Sequence, residues 1–143
     1  MPIRMSRERA YEFLGAGTHT GKLATVREDG RPHVAPVWFV IDGEDLYFMT
    51  NAATVKGRSL RRDPRAALTV DLEQPPYAFV AVEGTVIIET DPEAMLARST
   101  TIARRYVGAE HAGSFGRRNA VDGELLIRLC PTNIVGFDDM TGA

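Results

Sequence analysis

At 143 residues and 15.7 kDa, the chain has room for one hydrophobic core but not for a cofactor domain beside a separate substrate domain. Hydrophobic residues at 44% and charged residues at 25% suggest neither a disordered chain nor a membrane protein, and a formal net charge of −2 argues against general affinity for nucleic acid. No apolar run approaches the roughly 20 residues that span a bilayer, and MPIRMSRERAYEF lacks the apolar centre of a secretory leader. The expectation is therefore one cytoplasmic domain over residues 1–143 without membrane association.

In chain order, Arg7 to Leu14 reads as an amphipathic helix capped by Ser6 and ended by Gly15 and Gly17, a brace or lid outside the core. Three strand-like runs follow, Gly21 to Val26, Pro32 to Ile41 and Asp45 to Asn51, separated by the turn sequences EDG and DGED, which predicts antiparallel hairpins. Pro36 lacks a ladder donor, so its stretch should be an edge, a bulge or a surface that bonds to something else. Thr54 reads as the N-cap of a short basic helix carrying Lys56, Arg58, Arg61 and Arg62. Arg65 to Leu72 and Ala78 to Thr90 are predicted strands, the second bent at Gly84. Asp91, Pro92 and Glu93 start a helix expected to run to Tyr106 and stop at Gly108. AEHAGSFGRRNAVDG is the least regular stretch, and Leu125 to Cys130 and Asn133 to Phe137 close the chain as two strands. With no regular βαβ alternation, the pattern predicts a mainly β fold with inserted helices: a six- to seven-stranded antiparallel barrel.

The chemistry is concentrated at the junction of Asp45 to Asn51 with the basic helix. A strand that hands over to a capped helix start presents the amides of Val55 and Lys56 to an anion, with Lys56 as a movable cation and the arginines as forked donors. A solvated basic face is the alternative; cap, lysine and preceding strand together favour the anion site. Val34 to Phe39, with Pro36 and Trp38, suits a flat heterocycle bonded along interrupted backbone, or else Trp38 belongs to the barrel core. Three scattered histidines, His19, His33 and His111, and one cysteine give no metal spacing, and Cys130 in LLIRLC is expected to be a buried structural thiol. There is no GxSxG elbow, GxGxxG or P-loop, so the hard chemistry is assigned to a bound cofactor and no catalytic side chain is named.

With those residues in place, GKLATVREDGRPHVAPVWFV, LYFMTNAATVKGRSLRRDPRAAL and PPYAFVAVEGTVII resemble the split β-barrel flavin and deazaflavin family related to pyridoxamine 5′-phosphate oxidase. Within it they most resemble the branch that uses coenzyme F420. The resemblance runs from about Gly21 to Glu89; Gly57, Ser59 and Phe137 stand where that branch often carries alanine, asparagine and tryptophan. It implies a homodimeric split barrel with the cofactor at the subunit interface. It also implies that Thr50, Thr54, Val55 and Lys56 hold the cofactor phosphate, with Arg58, Met49 and Asn51 beside them. Ala35, Pro36, Val37 and Trp38 would run along the ring system, and Tyr77 and Ala78 would approach from the second subunit. The implied reaction is hydride transfer between F420 and a small unsaturated organic substrate, with Tyr77, His33 or water as the proton source. An FMN enzyme of the pyridoxamine phosphate oxidase type, and a protein that binds F420, flavin or haem without turnover, are the alternatives.

Overall fold

Alternation of inward apolar and outward polar residues sets the β framework: Leu23 and Thr25 of β2 (Gly21–Val26), Leu68 and Val70 of β6 (Arg65–Asp71), and Val80, Val82 and Val86 of β7 (Phe79–Glu89) are all buried. A computed structural model describes residues 2–142. Its eight strands form one antiparallel sheet in the order β3-β2-β6-β7-β8-β5-β4, with β1 (Ile3–Arg4) added alongside β8. The outer members are β3 (Pro32–Val37) and β4 (Phe39–Asp42), next to β2 and β5 (Asp45–Asn51) respectively. Val37 pairs with Gly21 while Phe39 pairs with Phe48, so the chain itself joins the two ends of the sheet at Trp38. The sheet must therefore curl into a barrel that is closed by covalent continuity at this seam and not by a ladder, which is the split of a split barrel.

This seam divides the run expected as one strand from Pro32 to Ile41, and it places Pro36 on an edge strand, where proline is tolerated. In contrast, the two strands expected at the C-terminus are one, β8 (Glu124–Asp139), which passes a register shift opposite Glu83 and Gly84. With Ile3–Arg4 added, the count is eight.

Helix α1 (Arg7–Gly15) corrects the expectation of an external brace: Ala10, Phe13 and Leu14 are buried in the main core with Phe39, Phe48 and Leu129. Its i, i+3, i+4 stripe plugs one mouth of the barrel, and each fully buried Phe or Leu contributes about 1.5–3 kcal/mol. The sheet is covered on another side by α3 (Pro92–Val107), whose Met95 and Ile102 pack on Val40, Tyr47 and Leu126. Asp91 caps α3 by accepting from the Ala94 amide at 2.9 Å.

A second correction concerns the stretch expected to be irregular: residues Ala109–Asn119 form helix α4, antiparallel hairpin partner of α3. Its glycines serve close approach. A Cβ on Gly116 would lie 2.9 Å from the Thr100 Cα, so only glycine lets the two helices come together there. Cys130, expected to be buried, is half-exposed beside Asp45 and Arg128, and what burial it has pushes its thiol above the usual range. Among the described residues no helix is long and apolar enough to cross a membrane.

Candidate functional site

At the seam, where β3 and β4 part, α2 (Val55–Arg62), β5 and the α3–α4 hairpin surround a cleft of ≈ 350 Å³. Pro36, Val37, Trp38, Met49, Thr50, Asn51 and Lys56 line one part of it, and Ser99, Ile102, Ala103, Asn119 and Glu124 the other. Thr54 and Val55 lie at the same helix start; Arg58, one turn further, is exposed, and Ala35 stands on β3 next to Pro36. Tyr77, 47% exposed and at φ 59°, does not line the cleft of its own chain, and the side chain of Ala78 belongs to the core. His33 also lies outside the cleft lining.

The helix start is built by Thr54, whose hydroxyl donates to the Asn51 carbonyl at 2.7 Å and accepts from the Gly57 amide at 3.1 Å. Its single proton is thereby committed, so in the 3.0 Å contact between Thr50 and Thr54 hydroxyls Thr50 is the donor. The amides of Val55 and Lys56 make no hydrogen bond among the described residues, leaving two donors at the positive end of α2. Gly57 allows the fit: a Cβ there would run into the Asn51 carbonyl.

The basic run separates into two groups. Arg62 donates to the Val26 carbonyl, and Arg65 pairs with Asp63 at 2.7 Å, holding that carboxyl at about 2. By contrast Lys56, Arg58 and Arg61 have no ion-pair or hydrogen-bond partner among the described residues; of the three, Lys56 lines the cleft, which also carries the Glu124 carboxylate. Arg61 faces an adjoining hollow of ≈ 480 Å³ that shares Glu124 with the cleft. A hollow of ≈ 550 Å³ between Thr18 and Pro75 is wider, but its cation, Lys22, is already paired with Asp71 at 3.1 Å.

Trp38 forms the apolar wall and is not core: it is 40% exposed, with one face stacked on Tyr106 at 5.0 Å and 8°. The Phe39 amide donates to the Tyr106 hydroxyl at 3.2 Å, which donates in turn to the His19 carbonyl at 2.9 Å. Burial raises the Tyr106 phenol above its usual value, so it stays neutral and keeps both bonds near neutral pH. Arg105 ties the same seam by donating to the carbonyls of Leu14, Gly17 and Phe39 at 2.8, 3.0 and 2.6 Å.

The wall from α3 was not foreseen from sequence, although a signal existed. Met95, Ser99, Ile102, Ala103 and Tyr106 share one helical face, and Ser99 is a polar residue inside an otherwise apolar stripe. Asn119 and Glu124 carried no such signal, since their place depends on how α4 docks. Among the described residues no group of three or more His, Cys, Asp or Glu is arranged to hold a metal. The cleft offers instead Lys56 and the start of α2 at one end and a flat apolar wall at the other.

Comparison with known proteins points to one family. The family model described as pyridoxamine 5′-phosphate oxidase matches residues 7–131. An 88-residue stretch is 39% identical to the pyridoxine/pyridoxamine 5′-phosphate oxidase of Myxococcus xanthus strain DK1622, over 61% of this chain and 42% of that protein. The match thus spans less than half the length of that curated relative. Among solved structures, a conserved hypothetical protein of Mycobacterium tuberculosis is 25% identical over 96% of this chain and 87% of its own, with a TM-score of 0.83. An F420 reductase is 30% identical over 87% of this chain and 94% of its own, with a TM-score of 0.67.

Proposed function

Because the chain belongs to the pyridoxamine 5′-phosphate oxidase family, we propose that the cleft holds a phosphate-bearing cofactor of flavin type, coenzyme F420 first. The protein is then an oxidoreductase that moves a hydride between F420 and a small unsaturated organic substrate. One observation carries this reading: Lys56, beside the Val55 and Lys56 amides of a Thr54-capped helix and like them without a partner among the described residues, faces the same cleft as the exposed ring of Trp38. The 30% identity to an F420 reductase over most of both chains supports F420 as the cofactor.

When bound, such a cofactor supplies the hydride chemistry itself. The chain's own residues bind and orient. Lys56 and the Val55 and Lys56 amides hold the phosphate by charge-assisted bonds, and the Thr50–Thr54–Gly57 chain fixes the helix start against β5. Pro36, Val37 and Trp38 place the ring, with Tyr106 and Arg105 keeping that segment from collapsing inward. Val37, Ile102 and Ala103 exclude water from the reacting face. Of the proton sources suggested by sequence, neither His33 nor Tyr77 lines the cleft of its own chain, so within one chain water is the source this reading takes.

Tyr77 and the exposed apolar residues Val34 (66%) and Ile87 (49%) support a homodimer in which a second copy brings Tyr77 to the cleft. FMN in place of F420 is the second reading, favoured by the 39% identity to a pyridoxine/pyridoxamine 5′-phosphate oxidase. Parallel titration of apo protein with F420 and FMN, followed by Trp38 and cofactor fluorescence, tests both. Micromolar or tighter F420 with weak FMN is expected, the reverse preference moves the protein to the flavin oxidases, and binding of neither ends the reading.

A further inference from the structure

Four buried side-chain polar atoms lack a hydrogen-bond partner among the described residues: Thr25 Oγ1, Arg27 Nε, His33 Nδ1 and Ser99 Oγ. Ser99 alone of these lines the cleft. The residue is 2% exposed, midway along α3 on the face that carries Met95, Ile102 and Ala103.

A serine inside a helix has an easy way to satisfy its hydroxyl, which is to bond back to the carbonyl four residues earlier. Thr101, two residues away on the solvent side of the same helix, does so, donating to the Ala97 carbonyl at 3.0 Å. Ser99 does not bond to Met95 in that way; its oxygen, itself almost closed to solvent, keeps a donor and lone pairs unspent in a residue that lines the cleft, and a turn about χ1 is what would bring it to a bound molecule. Leaving a buried hydroxyl unpaired costs free energy, whereas alanine at this position would cost nothing and favour the helix.

The surroundings define what would. Val37, Trp38, Met49, Ile102 and Ala103 give apolar surface for a flat body, Lys56 and Glu124 are the charged groups of the lining, and α3 presents no charged group to the cleft. We propose that Ser99 is a ligand-binding residue whose hydroxyl bonds a carbonyl or ring-nitrogen edge of a flat conjugated molecule seated against Val37 and Trp38. This rests on the cofactor reading above. The Asn119 amide, on the same wall from α4, adds a second neutral contact. The polar edge belongs either to the cofactor ring or to the acceptor, and both present the same chemistry to Ser99.

Ser99→Ala separates the possibilities. It removes an unpaired group, so the unliganded variant is expected to melt at the wild-type temperature or about 2–4 °C above it. If the edge is the cofactor's, affinity for F420 or FMN falls roughly five- to tenfold. If it is the acceptor's, cofactor affinity is unchanged and cyclohexenone, added to cofactor-loaded protein, binds weaker by the same factor. Unchanged affinity for both kinds of ligand overturns the proposal, as does a lower melting temperature, which would mean that the hydroxyl is already paired in the free protein. The Lys56→Ala variant, measured in parallel, keeps the two claims apart. Wild-type protein that binds neither cofactor removes the cofactor reading and this inference together. Lys56-dependent binding with a Ser99→Ala variant indistinguishable from wild type removes this inference alone.

Discussion

Substituting Gly57 by alanine is a stringent test of how the helix start is built. An ideal Cβ at this position would overlap the Asn51 carbonyl oxygen and lie 3.1 Å from both the Asn51 carbonyl carbon and Thr54 Oγ1. The first two atoms are backbone at the end of β5 and cannot rotate away, so the clash must be relieved by moving α2 off the strand. Overpacking costs about 1–3 kcal/mol, and a contact this close to fixed backbone belongs at the upper end, about 2–3 kcal/mol. Replacing glycine by alanine inside a helix returns about 0.8–1 kcal/mol. The net expectation is a loss of roughly 1–2 kcal/mol and a melting temperature lower by about 3–8 °C. Because the Gly57 amide also donates to Thr54, the same movement should loosen the cap and weaken cofactor binding. Thermal denaturation followed by circular dichroism, with and without cofactor, measures both. A variant that melts at or above the wild-type temperature would show that helix propensity outweighs the contact, and the tight β5–α2 junction would have to be abandoned.

Thr54→Ala should lose about 1 kcal/mol through the missing cap, measured by denaturant unfolding, and cofactor affinity should fall with it. Arg105→Ala removes donors to the carbonyls of Leu14, Gly17 and Phe39 and should cost about 2–4 kcal/mol, with Trp38 fluorescence shifting to the red as the seam opens. Lysine at position 105 should not restore it, since one ammonium cannot reproduce the fork. The Arg65 guanidinium holds Asp63 at about 2, below its ordinary 3.8. Its stabilisation is thus complete above pH 3.8 and lost as pH falls through about 2. Asp63→Asn should flatten that part of the acid unfolding curve, and salt should shrink the difference because the Arg65 side of the pair faces solvent.

How much of this was legible depended on whether the determinant was local. Thr54 sits within a few residues of the strand it serves, so the cap could be read directly from the string, and with it the place of Lys56 in the first turn. Asp91 and Pro92 announced α3 in the same way. The break at Trp38 was not legible, because it arises from barrel closure, in which Val37 and Phe39 find partners at opposite ends of the sheet. Gly113 and Gly116 made α4 look like loop; Gly116 is there because Thr100 of α3 comes within reach of where its Cβ would be. The buried stripe Ala10, Phe13 and Leu14 was visible as a period, but only the tertiary arrangement puts it inside the barrel. The α3 and α4 wall of the cleft, Ser99 to Asn119, follows from docking and so had no local signature beyond one serine among apolar neighbours.

The most direct test of the account is the dissociation constant of F420 for the wild-type protein beside that for Lys56→Ala, with FMN as the parallel ligand. Removing one charge-assisted phosphate bond should cost on the order of 1.5–3 kcal/mol, a loss of roughly one to two decades in affinity. The melting temperature of the free protein should stay the same, since Lys56 has no partner to lose among the described residues. Equal affinity in the two proteins would contradict the claim that Lys56 and the capped start of α2 hold the phosphate.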